Sequence, residues 1–207
     1  MKTNITIINT QCANLSSVKF AFERLGYSAE ITNDLNKIKS ADKLILPGVG
    51  TAKAAMLNLQ RLGLVEIIQN LTQPVLGICL GMQLLLESGL ENGKSCGLGL
   101  IPGVCRRIPD QAGLPVPHMG WNDLEVQQSS ALTAGLEGQS VYFVHSYYTD
   151  VPEEYLDVTA DYGRPIPAMI HRGSVFGCQF HPEKSGAVGL GILEKFKEYV
   201  YENTARY

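Results

Sequence analysis

Apolar and polar positions along the first half of the chain follow two alternating periods. Residues 4–9 (NITIIN) read as a strand. Leu15, Val18, Phe22 and Leu25 then recur at helical spacing, and Gly26 supplies the stop. A weaker strand covers residues 30–33. Residues 43–46 (KLIL) form a continuously apolar strand ended by Pro47-Gly48-Val49-Gly50, and a helical stretch over residues 51–71 breaks near Gly63. Residues 75–79 (VLGIC) are a second buried strand, running directly into a helix over residues 80–88. Strands with no polar alternation, separated by helices, predict a mostly parallel central sheet with helices on both faces.

After Gly97 the texture changes to strands joined by Gly/Pro turns: residues 99–108, 118–126, 141–148, 156–160, 168–171 and 175–180. These predict an antiparallel or mixed extension of the same sheet. From Ser185 a last helix presents Leu190, Leu193, Phe196 and Val200 on one face. No linker or repeat interrupts the pattern, so the reading is a single α/β domain over residues 1–207.

Composition narrows the chemistry. Hydrophobic residues make up 45% of the 207, enough for a sizeable core, while charged residues are only 18%, below the roughly 25% of an average soluble chain. A surface short of charge fits either a large core or a face covered by a partner. With 17 Lys and Arg against 20 Asp and Glu and no basic stripe, nucleic acid is not the expected ligand. The five cysteines (Cys12, Cys79, Cys96, Cys105 and Cys178) include no CxxC pair, and no Cys/His pair has ligand spacing, so no metal site is expected. The N-terminus has no signal-peptide core and no run is long enough to span a membrane, which leaves the cytoplasm as the expected location.

Three short motifs carry candidate chemistry. Gly77-Ile78-Cys79-Leu80-Gly81 places a thiol between a buried strand and a helix, the cysteine counterpart of a nucleophile elbow. Glycines on both flanks suit so tight a turn. The helix dipole favours thiolate, and the first-turn N–H of Leu80 has no helical partner and is free to face an oxyanion. The pentapeptide alone fits a buried structural cysteine equally well. Pro47–Gly50 follows the preceding strand, where such folds take a second oxyanion donor, although on its own it reads as a turn. Phe180-His181-Pro182-Glu183 supplies a base with a carboxylate two residues away to orient it. His118, His145 and His171 are rival bases without so close a carboxylate at a strand end.

Together, Pro47–Gly50, residues 77–85 (GICLGMQLL) and residues 180–183 (FHPE) resemble the class I, or triad, glutamine amidotransferases over nearly the whole chain. The resemblance implies glutamine hydrolysis, with Cys79 as nucleophile, His181 as acid and base, and Glu183 orienting His181. It also implies an oxyanion hole from Leu80 with Val49 or Gly50, after a peptide reorientation in that loop. A glutamine pocket follows from Gly50, Gln83, Glu91, His145, Ser146 and Tyr147. No cofactor is implied.

Within that family, residues 97–103 (GLGLIPG), 117–122 (PHMGWN), 142–147 (YFVHSY), 12–18 (CANLSSV) and 181–186 (HPEKSG) are similar to the glutaminase subunits of imidazole glycerol phosphate synthases. That likeness implies that the partner is a separate, barrel-type cyclase subunit, which consumes the ammonia in histidine biosynthesis. Trp121, Asn122, Tyr142 and Lys184 are the implied interface residues, with Trp121 in the core as the alternative. Gln11 departs from the pattern, since a glycine is expected in the loop after the first strand. Three competing readings are the small glutaminase of pyridoxal phosphate synthase, an independent hydrolase of the same fold, and a catalytically silent binding subunit.

Overall fold

Strands with no polar face must be covered on both sides, and the computed structural model, which describes residues 3–11 and 15–200, covers them. In chain order the elements are β1 (Ile5–Ile8), α1 (Leu15–Arg24), β2 (Ala29–Thr32), α2 (Leu35–Ser40), β3 (Lys43–Gly48), α3 (Ala52–Arg61), α4 (Val65–Gln69), β4 (Val75–Cys79) and α5 (Leu80–Leu84). There follow β5 (Leu86–Gly89), β6 (Ser95–Cys96), β7 (Ile101–Arg107), β8 (His118–Asp123), β9 (Glu125–Val126), β10 (Ser140–His145) and β11 (Tyr147–Asp150). The chain ends with β12 (Leu156–Asp161), β13 (Pro165–Arg172), β14 (Val175–Cys178) and α6 (Gly186–Glu198). Cys12, Ala13 and Asn14, which open one of the similarity stretches, lie outside the described residues.

The central sheet has the order β2-β1-β3-β4-β14-β13-β12-β9. Its first five strands are parallel. From β14 outward the pairing is antiparallel, the expected extension. The rest of the second half forms two further sheets, β10-β8 and β11-β7-β5-β6. The stretch over residues 141–148 therefore divides at Ser146, which separates strands belonging to different sheets.

Alternation along the central strands sorts the core into two layers. Ile5, Ile7 and Ile45 join Val18 and Phe22 of α1 and Ile192 and Phe196 of α6 on one face. Ile8, Leu44 and Leu46 join Ile38 of α2, Met56 and Leu59 of α3 and Ile68 of α4 on the other. The helical stretch over residues 51–71 is indeed broken, at Gly63, into α3 and α4. Helix α2 is too short to show a period. It is fixed by Asp34, whose carboxylate accepts from the Asn36 and Lys37 amides at 2.8 and 3.0 Å.

Two expectations are corrected. The helix over residues 80–88 stops at Leu84, and the chain becomes β5 at Leu86. Leu84, Leu85 and Leu86 are all buried, so this run carries no period that separates helix from strand. Their carbonyls accept instead from the amides of Leu98, Leu100 and Gly99, so the GLGLIPG stretch draws the chain out of the helix. The last helix ends at Glu198, and Val200 is 81% exposed. Ile192 takes the fourth place in its buried stripe, beside Leu193 and Phe196, with Leu190 half-buried.

The cysteine turn is wedged against β3. A Cβ built on Gly81 would lie 1.7 Å from the Leu46 carbonyl oxygen, and one on Gly77 would lie 2.7 Å from the Gly81 carbonyl. Backbone cannot yield as a flexible side chain does. Gly81→Ala is therefore expected to cost at least about 3 kcal/mol, read as a lowered urea midpoint. Gly191→Ala, in α6 with nothing within 4 Å of its Cβ, is expected to hold or raise stability by up to about 1 kcal/mol. A Gly81→Ala midpoint equal to that of the parent would show that β3 gives way.

Candidate active site

The parallel strands end together, and this edge gathers the three motifs. The register pairs Gly48 of β3 with Cys79 of β4, so Val49 and Gly50 continue just beyond the cysteine. Strand β14 lies on the other side of β4 and delivers Gln179 and His181 to the same edge. Ligands of open α/β sheets bind outside such carboxyl ends.

Cys79 has φ 54° and ψ −111°, a strained conformation for a non-glycine residue, and the helix α5 begins at once with Leu80. This is the elbow that the pentapeptide predicts. Gln11 also has a positive φ, 58°, which accounts for the glycine expected there. Its amide donates to the Asn9 side chain at 3.0 Å and its own side chain accepts from Arg61 at 3.2 Å, contacts that hold the loop without a glycine.

His181 lies between sulfur and carboxylate. Its ring is coupled to Cys79, whose Sγ lies 4.0 Å from the Val144 carbonyl, and its Nδ1 is 2.8 Å from Glu183 Oε1. Both side chains of the His181–Glu183 pair are buried. A single 3-10 turn, Pro182–Lys184, carries the carboxylate. The turn is tied to β10 through the His181 amide, which donates to the Tyr142 carbonyl at 3.0 Å, and through the Tyr142 amide, which donates to Ser185 Oγ at 3.0 Å. Burial opposes a charge on the imidazole, but the hydrogen bonds to Cys79 and Glu183, with their charges, outweigh it and raise its pKa to about 9.

A cavity of about 360 Å³ opens at this point. Its wall contains Cys79, His181, Val49, Gly50, Leu80, Gln83, Glu91, His145, Ser146 and Tyr147, all of them expected at the glutamine pocket, together with Pro117 and Val144. Glu183 sits behind His181. The Glu91 carboxylate accepts from the Ala52 amide at 2.9 Å and so braces the start of α3. A larger depression of about 730 Å³ lies beside the N-terminal ends of β3 and β4, and none of these residues lines it.

The rival histidines are occupied elsewhere. His171 Nδ1 pairs with the buried Asp157 carboxylate at 2.6 Å. His145 Nδ1 faces the Tyr147 carbonyl at 2.8 Å, which can only accept, so Nδ1 carries the proton and Nε2 is an acceptor. His118 Nδ1, 2.9 Å from that Nε2, must then donate, and His118 Nε2 accepts from the Asn122 amide at 3.2 Å. His118 is stacked between Phe143 and Tyr162, with centroids 4.7 and 4.0 Å away. Burial lowers the pKa of His118 to about 4. Burial does the same for His145, with the Tyr147 carbonyl opposing it and the His118 and His181 charges adding to it. Both rings are therefore neutral.

Of the expected interface residues, Trp121 is 59% exposed beside Met119 at 61%, and its ring meets that of its cross-strand neighbour Tyr142 edge-on at 6.2 Å. Lys184 is exposed. Asn122 is half-buried, and its amide also donates to the Asp161 carbonyl at 2.7 Å. The alternative of a core Trp121 is thereby excluded for this chain on its own.

Sequence reasoning missed Gln179, which is fully buried with its Nε2 3.8 Å from the Cys79 sulfur. The available signal was parity: residues two apart in an extended segment share a face, and Gln179 precedes His181 by two.

The protonation states predict a titration order. A raised His181 pKa means that its contribution to stability is complete below about pH 6.5 and is lost as pH rises through about 9. His118 and His145 have the opposite sign, contributing above about 6.5 and losing it as pH falls towards 4. NMR of the imidazole protons is expected to show one late titration near 9, moved downward by Glu183→Gln, and two near 4. A His181 midpoint near 6.5 in the parent would refute the coupling.

The family described as Glutamine amidotransferase class-I matches residues 4–197 of this chain. The chain is 74% identical to the imidazole glycerol phosphate synthase subunit HisH of Streptococcus gordonii, covering 97% of this chain and 99% of the relative. The protein of the same name in Listeria monocytogenes serotype 4a is 46% identical over 95% and 96%. Among solved structures, PurLQS from Thermotoga maritima superposes with a TM-score of 0.71 at 19% identity, covering 96% and 99%. The glutaminase domain of Trypanosoma brucei CTPS with bound acivicin gives 0.66 at 16%, covering 99% and 98%. These two structural likenesses concern the fold.

Proposed function

The chain belongs to the class I glutamine amidotransferase family, and on that premise we propose that it is the glutamine-hydrolysing subunit of an imidazole glycerol phosphate synthase in histidine biosynthesis. Residues 1–207 act as one amidotransferase domain. The observation that carries the chemistry is the buried line of Cys79, His181 and Glu183 at the cavity wall.

The reaction begins with thiolate at Cys79 and the proton on His181, the state favoured by an imidazole whose pKa is about 9. The sulfur attacks the glutamine carboxamide carbon, and the oxygen takes up negative charge. The Leu80 amide, with that of Val49 or Gly50, stabilises this charge. His181 passes its proton to the departing nitrogen, the C–N bond breaks, and ammonia leaves a glutamyl thioester on Cys79. Water, deprotonated by His181, attacks the thioester, so that glutamate leaves and the thiolate returns. Glu183 keeps the imidazole oriented throughout. Gln83, Glu91 and the 145–147 segment hold the substrate's remaining polar groups.

Ammonia released to neutral water is protonated and no longer nucleophilic, so it must pass directly to the enzyme that uses it. The partner is a barrel-type cyclase seated over the cavity mouth. The exposed Met119 and Trp121, with Tyr142 and Lys184 nearby, support this docking face. The assembly works in the cytoplasm, a reading supported by the unpaired thiols of Cys79, Cys96, Cys105 and Cys178. Among the described residues, no helix is long and apolar enough to cross a membrane.

Glutamate release by the chain mixed with a histidine-pathway cyclase and its nucleotide substrate tests the reading. Cys79→Ala is expected to remove activity by at least about 10³-fold while still binding the cyclase. Retained activity would overturn the role of Cys79, and full activity without any partner would favour an independent hydrolase. Trp121→Ala is expected to weaken the complex or leak ammonia, seen as glutamate formed in excess of cyclase product. Unchanged coupling would make Trp121 a bystander.

A further inference from the structure

We infer that Gln179 is a second hydrogen-bond donor to the Cys79 sulfur, held to that polarity by the Gln83 amide, whose own oxygen is turned to the substrate cavity. The inference rests on the reading of Cys79 as nucleophile and extends it to a residue outside the triad.

One group of fixed polarity orients the amides around the sulfur. The Tyr147 carbonyl can only accept, and Gln83 lies 3.3 Å from it, so the group presented there is the Gln83 NH₂. The same Gln83 nitrogen is 3.0 Å from the Gln179 side chain, which must therefore present its oxygen. The other end of the Gln179 amide is then its NH₂, and this is the end 3.8 Å from the Cys79 sulfur. A flip of either amide would set donor against donor or acceptor against acceptor, at a site where Gln179 is fully buried. The chain of bonds thus runs in one direction only. It ends on sulfur as an acceptor, and a thiolate accepts far better than a thiol.

Two consequences follow. With both Gln83 N–H groups engaged inside the protein, its Oε1 is left to the cavity that the side chain lines, offering an acceptor to the amino or carboxamide hydrogens of glutamine. The sulfur also has neutral support besides the imidazolium, in both states in which it is a thiolate, before attack and after hydrolysis of the thioester. The titratable groups facing the sulfur are His181 with Glu183 behind it, Cys105 of β7 and Cys178 of β14. His145 faces His181. A change at Gln179 leaves all of these in place.

The test is the pH dependence of Cys79 alkylation by iodoacetamide, followed by mass spectrometry on the full chain, because only thiolate reacts. Gln179→Met and Gln179→Leu both remove the donor without placing a new charge beside the sulfur. Both are expected to raise the alkylation midpoint by about one pH unit, with roughly tenfold slower labelling at pH 7. Glutaminase assays in the cyclase complex are expected to show a lowered kcat for both. Gln83→Met should raise KM for glutamine. A purely structural Gln179 would alter stability without moving the midpoint. In the unmutated chain, the Gln179 side-chain amide resonances are expected to shift with the Cys79 midpoint and to lose that step in Cys79→Ala. Unmoved midpoints in both Gln179 variants, or amide resonances that ignore Cys79, would overturn the inference. Glutaminase activity surviving Cys79→Ala would instead overturn the nucleophile reading, so the two failures are distinct.

Discussion

The site depends on a single steric constraint, the closeness of the cysteine turn to strand β3. With only 1.7 Å between a hypothetical Gly81 Cβ and the Leu46 oxygen, no side chain can occupy that position. Gly77 is similarly confined against the Gly81 carbonyl. These two absences let β4 pass into α5 within one residue and force Cys79 to a φ of 54°. An unstrained cysteine would lie along the strand among its buried neighbours. At the elbow it is lifted to the carboxyl edge of the sheet, where β3 and β14 bring the oxyanion loop and His181. The backbone strain, of the order of 1–3 kcal/mol at such a residue, is carried by the two core layers that clamp the sheet.

Much of this was legible along the chain, for identifiable reasons. The elbow, the loop at Val49 and the His181–Glu183 pair are local in sequence, and their residue types follow from what a tight turn, an oxyanion donor and an oriented base require. The parallel half of the sheet was legible because β3 and β4 are apolar without alternation. The second half was legible as strands but not as sheets. Turn residues mark where strands end and say nothing of which partner each strand finds, so the division at Ser146 between two sheets left no trace. The leucines from Leu84 to Leu86 were illegible for a different reason. A run buried on every side has no period, and its fate is decided by amides more than ten residues away.

Gln179 was missed, and His118 was weighed only as a rival base, for a third reason: their roles arise from pairing with residues distant in sequence. A buried glutamine or histidine reads as an oddity until its partners are known. One backbone carbonyl resolves both. Tyr147 accepts from His145 and from Gln83, and each donor then fixes the orientation of the next group, towards His118 and Asn122 in one direction and towards Gln179 in the other. A neutral amide or imidazole has a direction, and one acceptor of known polarity is enough to orient a whole row of them.

The three histidines of this region are held in opposite states, and the contrast has a physical cause. His181 lies between Cys79 and the Glu183 carboxylate and keeps its proton. His145 and His118 have a carbonyl, an amide and each other, and burial is the largest cause of their staying neutral. The arrangement is mutually consistent, because the charge on His181 itself disfavours a charge on His145. Were His145 protonated, it would compete with His181 for the thiolate's field, and its Nε2 would become a donor facing the donor of His118. The wall formed by β8 and β10 therefore contributes shape and direction to the cavity without adding charge, leaving the electrostatics of the sulfur to His181 and Glu183.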